Sequence, residues 1–375
     1  MRSHKLLVCA EALLFALLSA AEIHANGTIA LTGQVSAQKE KVLEGVVVGA
    51  KKDDSTITVN VISDAKGRFA FPSEKLEPGH YTFKIRAAGY DLDGPKSVDV
   101  VAGKTATANL KLKPTENPSA QLTDAEWLLS IPGTEQQKSF LLGCNGCHTI
   151  DRIVKANKTP EEWVQVFRRM STYAPGSTPL RPQVTVGGVQ RDRTRGVDPM
   201  EIGTWLANVN ASYNSKQSFP LKTLPRPKGK ATRTIITEYD LPRKLAMPHD
   251  VIVDGDGMVW YSDFGDQFIG RLDPKTGKVT DFPIPELKKG FPRGTSPYHV
   301  VPDKNGEIWI GSMWTDRVTR LDPKTSQFTD YLLPRETNIR RVFVDNTTSP
   351  VTFWVGSNHG ASILKLEPLD ASGSN

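Results

Sequence analysis

Between residues 28 and 114 the chain alternates apolar and polar positions in short runs. A period of two places successive side chains on opposite faces of a strand, so these runs predict half-buried β-strands. Turns that contain Gly or Pro separate the runs, as at residues 64–67 and 77–80. The clearest runs are residues 46–48, 57–59, 68–71, 81–85 and 97–100. Many short strands at this spacing predict an antiparallel all-β sandwich.

Residues 121–214 follow a helical pattern instead. The helix that begins at Pro160 carries Trp163, Phe167 and Met170 at helical spacing, which gives it one apolar face. The segment therefore predicts a small all-α domain. Four pairs of residues match the capping box, in which a cap residue is followed three positions later by Glu or Gln. These pairs are Thr123 with Glu126, Thr134 with Gln137, Thr159 with Glu162, and Asp198 with Glu201.

Residues 230–375 repeat themselves. Six residues recur 49 positions later: Pro248, Trp260, Leu272, Asp273, Pro274 and Asp281 become Pro297, Trp309, Leu321, Asp322, Pro323 and Asp330. A looser third copy contains Asp345, Trp354, Leu366 and Pro368. This period, with an Asp-Gly or Asn-Gly turn in each full copy, predicts a β-propeller of about three blades.

Closed propellers usually have four to eight blades. We therefore expect either a truncated form of a longer protein, which we favour, or copies that assemble between chains. A closed monomer with three blades is the least favoured arrangement.

The amino terminus predicts export. Arg2 and Lys5 precede an apolar stretch at residues 6–18, and small residues follow it. This order is typical of a signal peptide, here residues 1–25, and the apolar stretch is too short to span a membrane. We expect cleavage and a periplasmic chain without a membrane span; an uncleaved anchor is the alternative.

The most specific motif is Cys144-Asn145-Gly146-Cys147-His148. Two thiols at this spacing can add to the two vinyl groups of one porphyrin, and the adjacent imidazole can then bind the iron. Loss of Cys9 with the signal peptide leaves Cys144 and Cys147 as the only thiols of the mature chain. We predict one covalent haem c; a disulfide or half of a zinc site is the alternative.

The sixth iron ligand has two candidates in this segment. No histidine lies between His148 and His249, which leaves Met170 and Met200. Met170 ends a helix before a loop that could present its sulfur, whereas Met200 lies in the first turn of the last helix. We predict His148 and Met170 as the axial ligands, with Met200 or an open, water-ligated iron as alternatives.

The charged residues of the chain indicate which classes of partner it can bind. The chain has 47 Lys and Arg against 41 Asp and Glu, a formal net charge of +6. A mildly basic exported protein suggests an acidic redox partner, although a solvated surface explains the charge equally well. No basic stripe interleaved with aromatic residues and no nucleic-acid motif occurs, so nucleic acid is excluded as a partner class.

Two parts of the β-rich sequence resemble known families. Residues 64–69, 76–81 and 88–90 resemble the carboxypeptidase-regulatory-like domain, which implies an immunoglobulin- or transthyretin-like sandwich at residues 28–114. Residues 255–260 and 271–277, with their repeats, resemble the propeller of virginiamycin B lyase (streptogramin lyase). That family uses His and Glu with a divalent metal, but neither His249 nor His299 maps onto its catalytic residues.

Residues 121–214 resemble a mono-haem class I cytochrome c, with CxxCH as the specific motif. Together these features predict a multidomain protein: a sandwich, an all-α cytochrome c domain and a partial propeller. We expect one-electron transfer with a redox protein partner, and the β-domains as partner- or substrate-binding modules. A lyase or other propeller enzyme with an accessory haem is one alternative, and a haem-sensing scaffold is another. Self-association through the propeller would complete its blades.

Overall fold

The computed structural model describes most of the chain as two compact units. The first unit joins the residues up to Thr115 with Pro225–Glu238, and the second joins Glu116–Leu224 with Tyr239–Asn375. The described residues are 28–145, 148–173, 192, 194, 196–210, 219–263, 267–285, 297–312, 315–335, 337, 339–357 and 362–369.

The first unit is built from two sheets. One has the order β4-β1-β9-β6, with β8 pairing on β1, and the other has the order β10-β3-β2-β5-β7. The strands are β1 (Ile29–Ala37), β2 (Val47–Lys52), β3 (Ile57–Ile62), β4 (Arg68–Pro72), β5 (Gly79–Arg86), β6 (Tyr90–Gly94), β7 (Ser97–Val100), β8 (Ala106–Thr107), β9 (Leu110–Pro114) and β10 (Ile235–Tyr239).

The period of two decides which side chains enter the core of this unit. In β4, Phe69 and Phe71 are buried while Arg68 is exposed, and in β5 Tyr81 and Phe83 are buried between exposed neighbours. The buried residues of both sheets form one apolar cluster. Burial raises the pKa of the Tyr81 hydroxyl to about 12, consistent with its place in that core.

Five α-helices lie in the described part of the second unit between residues 124 and 208. None of these helices combines the length and the hydropathy that a membrane crossing requires. Their buried faces form a cluster that includes Trp127, Phe140, Trp163 and Trp205. The helices are α1 (Asp124–Ser130), α2 (Glu135–Leu142), α3 (Ile150–Val154), α4 (Pro160–Ser171) and α5 (Pro199–Asn208).

The repeat region consists of three antiparallel sheets in which neighbouring strands follow each other along the chain. Sheet I contains β11 (Pro248–Val253), β12 (Val259–Asp263), β13 (Phe268–Leu272) and β14 (Val279–Pro283). Sheet II contains β15 (Pro297–Pro302), β16 (Ile308–Ser312), β17 (Arg317–Asp322) and β18 (Gln327–Leu332). Sheet III contains β19 (Val342–Asp345), β20 (Thr352–Ser357) and β21 (Ser362–Leu366).

The predicted fold class, with an all-α cytochrome c domain at its centre, is wrong. The described chain is mostly β, with several small antiparallel sheets. The five short helices are not a compact unit of their own, because they belong to the unit that also holds sheets I to III. Capping boxes and helical spacing define where each helix begins and which face it buries, but they carry no information about how helices assemble into a domain.

Candidate functional site

Cys144 lies at the end of α2, where the helix holds its thiol in place. Its backbone N–H donates to the carbonyl of Leu141 at 2.9 Å, and its Sγ lies 3.5 Å from the carbonyl oxygen of Phe140. The residue is partly buried against the cluster of helical side chains. The first thiol of the motif therefore has an ordered position at the edge of an apolar core.

His148 is partly buried, and its hydrogen bond identifies its tautomer. Nδ1 lies 3.1 Å from the backbone oxygen of Thr149. Because a carbonyl oxygen only accepts, Nδ1 carries the proton and donates it. In a neutral ring with this proton placement the lone pair lies on Nε2, and a hydrogen bond of this kind at the other nitrogen is what orients histidines that bind metals.

The chain after His148 is anchored to another helix. The backbone N–H of Ile150, the first residue of α3, donates to Oδ1 of Asp124 at 2.9 Å. Asp124 is itself the first residue of α1. The motif is thus supported on one side by α2 and on the other by α1, a role for Asp124 that sequence reasoning missed. Cys147 lies outside the described residues, as does Gly146 between the two thiols.

Met170 is partly buried in the last turn of α4. On the same helix Trp163 and Phe167 are buried, and the ring of Phe167 meets that of Phe140 with centroids 5.3 Å apart. The structure therefore brings the helix of Met170 against α2, which ends two residues before Cys144. Met200, the alternative ligand, is exposed in the first turn of α5.

Two buried indole N–H groups give the helical core hydrogen-bond donors that a polar group could use. Nε1 of Trp127 and Nε1 of Trp163 are buried and have no hydrogen-bond partner among the described residues. A buried N–H without an acceptor costs about 1–3 kcal/mol. The thiol of Cys144 packs at the edge of this core, and a thiol and a following imidazole are the groups that would hold a haem. Sequence reasoning treated Trp163 as an apolar residue and missed this property.

A second cluster joins the first strands of sheets I and II. Nδ1 of His249 donates to the backbone oxygen of Tyr298 at 3.1 Å, and the two rings lie 3.9 Å apart. His299 pairs through Nδ1 with the carboxylate of Asp250. The backbone N–H of Asp250 in turn donates to Ser262 Oγ at 3.1 Å. Both histidines thus contribute to contacts between the sheets.

Asp250 occupies the same position in its repeat as His299 does in the next, and the sequence comparison did not reveal that these two residues pair. Within the described ranges, no group of three or more His, Cys, Asp or Glu side chains is placed to hold a metal ion. His359 falls outside these ranges.

Comparison with solved structures finds propellers. Virginiamycin B lyase from Staphylococcus aureus is 25% identical, with a TM-score of 0.30, over 36% of this chain and 42% of that one. A streptogramin B lyase structure is 24% identical, with a TM-score of 0.30, over 37% of this chain and 42% of that one. The chain thus spans less than half the length of these lyases, and the likeness is too distant to carry an activity across.

Comparison with sequence families concerns the first unit. No curated protein matches the sequence. Residues 30–113 match the family model described as the carboxypeptidase regulatory-like domain. The predicted resemblance of this segment is therefore confirmed. The lyases named above are distant structural neighbours of the chain. The resemblance to cytochrome c rests on the sequence motif alone. Residues 30–113 are thus similar to the carboxypeptidase regulatory-like domain.

Proposed function

We propose that this chain is an exported electron-transfer protein with one covalent haem c. Cys144 and Cys147 would form the two thioether links, His148 would bind the iron through Nε2, and Met170 would be the sixth ligand. The observation that carries the proposal is the 3.1 Å contact of His148 Nδ1 with the backbone oxygen of Thr149, which engages one ring nitrogen and leaves Nε2 as the atom that would bind a metal directly after the two-cysteine motif. The proposal concerns this site and does not require the cytochrome c fold.

When bound, a haem supplies reversible one-electron chemistry at its iron. The residues of this chain would hold that group. Asp124 and α2 restrain the backbone on both sides of the motif, which limits the movement of His148. Phe140, Phe167 and Trp163 belong to the apolar cluster against which Cys144 packs, and exclusion of water by such a cluster is one of the means by which a protein sets a reduction potential.

The net charge of +6 favours an acidic redox protein as the partner. Within this proposal the chain works in the periplasm, where haem c is attached after export. The first unit and the repeat region would act as binding modules that place the partner, because neither contains the thiol and imidazole groups that hold the haem.

The experiment is a pyridine haemochrome spectrum combined with haem staining after denaturing electrophoresis. The full chain is expressed in cells that carry the machinery for haem c maturation. We expect a covalent haem signal that disappears when Cys144→Ala and Cys147→Ala are combined. The matched control is Leu142→Ala, at an exposed residue two positions before the motif, which retains the signal. Absence of covalent haem, in cells that mature a control cytochrome, would refute the proposal.

A further inference from the structure

The three sheets of the repeat region pack one on the next, and both junctions between them use the same kind of contact. We call the side of each sheet that carries its tryptophan the Trp face and the other side the rear face. Trp260 on the Trp face of sheet I clusters with Val300 and Ile308 on the rear face of sheet II. Trp309 on the Trp face of sheet II clusters with Val342 and Phe353 on the rear face of sheet III. Each junction therefore joins a Trp face to a rear face.

Sheet III has a Trp face built in the same way. Trp354 lies opposite Lys365 on the next strand, and the ammonium lies 5.8 Å from the indole centroid. In sheet I, Trp260 lies opposite Arg271 with the guanidinium at 5.6 Å. In sheet II, Trp309 lies opposite Arg320 at 5.5 Å. The register and the cation–π pair identify Trp354 as the equivalent of the other two tryptophans. Sequence comparison had also paired them.

The Trp face of sheet III differs in being uncovered. Trp354 is 41% exposed, whereas Trp260 and Trp309 are each 1% exposed. Ile363 is 78% exposed, whereas its equivalents Ile269 and Val318 are both fully buried. Phe343, which pairs with Trp354 across the strands, is exposed as well. Within the part of the chain that the structure describes, three large apolar side chains on one sheet face thus lack the neighbour that covers their equivalents.

The rear face of sheet I has the complementary feature. Val251 on its first strand is 64% exposed, whereas the equivalent residues Val300 and Val342 are 1% and 4% exposed. Val253, two positions later on the same face, is exposed too. One chain therefore presents an uncovered Trp face at one end of the stack and uncovered valines of a rear face at the other end.

We propose that two copies of this chain pair head to tail through these faces. The Trp face of sheet III in each copy covers Val251 and Val253 on sheet I of the other, at two identical junctions. The second copy is the occupant because it presents the same residue types that the two internal junctions use, so each new junction continues the existing stack. Three sheets from each copy close a ring of six, which lies within the four to eight of closed propellers.

The test is the mass of the full chain in solution, measured by sedimentation equilibrium over a range of protein concentrations. We expect a dimer. Ile363→Glu and Val251→Glu each place a charge in both junctions, and each is expected to raise the dimer dissociation constant at least about tenfold. Val101→Glu, at an exposed apolar residue in the first unit, is the matched control and leaves the dissociation constant unchanged. Urea unfolding of each variant establishes that it folds as the parent does.

Mixing the two variants tests the head-to-tail arrangement directly. Ile363→Glu keeps an intact rear face and Val251→Glu keeps an intact Trp face, so a mixed dimer has one intact junction where each homodimer has none. We expect the mixture to dimerise more tightly than either variant alone. A monomer at every concentration, assemblies that grow beyond the dimer, or a Val251→Glu protein that dimerises like the parent would overturn the proposal. The last result would mean that the Trp faces pair with each other, and a monomer would mean that a second copy does not cover the face.

Discussion

The rings of Phe140 and Phe167 meet edge to face, with centroids 5.3 Å apart and planes 71° apart. Phe140 lies one helical turn before Cys144, and Phe167 lies one turn before Met170. Trp163 stacks on Phe167 at 6.0 Å and continues the contact along α4. This aromatic pair therefore holds together the two helices that carry the candidate thioether and the candidate sixth ligand.

Removal of the Phe140 ring is expected to destabilise the second unit. Phe140→Ala deletes a buried aromatic side chain and leaves a cavity, so we expect the free energy of unfolding to fall by about 3–5 kcal/mol. Phe140→Leu keeps most of the apolar volume and should cost less than about 1.5 kcal/mol. Leu129→Ala, at an exposed position on α1, is the control. Urea unfolding measures all three, and equal losses for the two Phe140 variants would contradict the role assigned to this ring.

Met170→Leu tests the sixth ligand, because leucine keeps the apolar volume and removes the sulfur. We expect the haem to remain covalently attached while the weak near-infrared absorption of a methionine-ligated ferric haem disappears. Met200→Leu is the matched control, since Met200 is exposed, and it should retain the band. If neither substitution changes the spectrum and the reduced protein binds carbon monoxide, the iron has an open site and a sensor function replaces electron transfer.

Asp303 supports the turn that precedes β16. Its Oδ1 accepts from the backbone N–H groups of Asn305 and Glu307, and its Oδ2 accepts from Nε1 of Trp309 at 3.0 Å. Asp303→Ala leaves the buried indole N–H unpaired, so we expect a loss of about 2–3 kcal/mol in unfolding free energy. Asp345→Ala at the equivalent turn of sheet III is the control. Among the described residues its carboxylate accepts from Thr347 and from no indole, so a smaller loss is expected. Denaturant midpoints compare the two, and a larger loss for Asp345→Ala would refute this account.

Glu40 is expected to make the free energy of unfolding of the first unit depend on pH in the acid range. The hydrogen bond from Arg226, and another from Tyr90, hold the pKa of the Glu40 carboxyl below its ordinary value of 4.5. A carboxyl with a lowered folded-state pKa stabilises the fold above its ordinary pKa, and this contribution disappears as the pH falls through the lower folded-state value. The pair is partly exposed, so the effect should stay below about 1 kcal/mol.

The measurement for this prediction is urea unfolding of the parent and of Glu40→Gln as a function of pH. We expect the two proteins to differ at neutral pH and to converge in acid, because the parent loses the ionised carboxylate that the variant never had. Glu74→Gln, at an exposed residue of the same unit, should follow the parent throughout. A difference that grows as the pH falls would have the wrong sign for this mechanism.

Local features of the helical segment were predictable from short stretches of sequence. The capping boxes at Thr123, Thr134 and Thr159 are present as predicted, because each depends only on residues within one turn. The box expected at Asp198 is absent, since its side chain accepts from the N–H of Met200 without the reciprocal bond from Glu201. The tautomer of His148 and the contact of Phe140 with Phe167 were not predictable, because neither partner choice is encoded in spacing.

The pairing of strands that lie far apart in the chain was likewise not predictable from the sequence. Residues 235–239 were assigned to the propeller region, yet β10 is an edge strand of the sheet that contains β3, and Asn60 on β3 donates to the carbonyl of Ile236 at 3.1 Å. An apolar, alternating run is compatible with any sheet edge of suitable polarity. Which edge it joins depends on where the chain brings it.

The sequence by itself determined the candidate chemistry of residues 144–148, the alternation that builds the first unit and the repeat that builds sheets I and II. All three depend on residues within a few positions of one another or on the comparison of one stretch with the next. The tertiary structure alone decided that the helices share a unit with the sheets, that Asp250 meets His299, and that Trp354 is left uncovered. These facts depend on contacts between residues far apart in the chain, and burial of a side chain is a property of its neighbours in space.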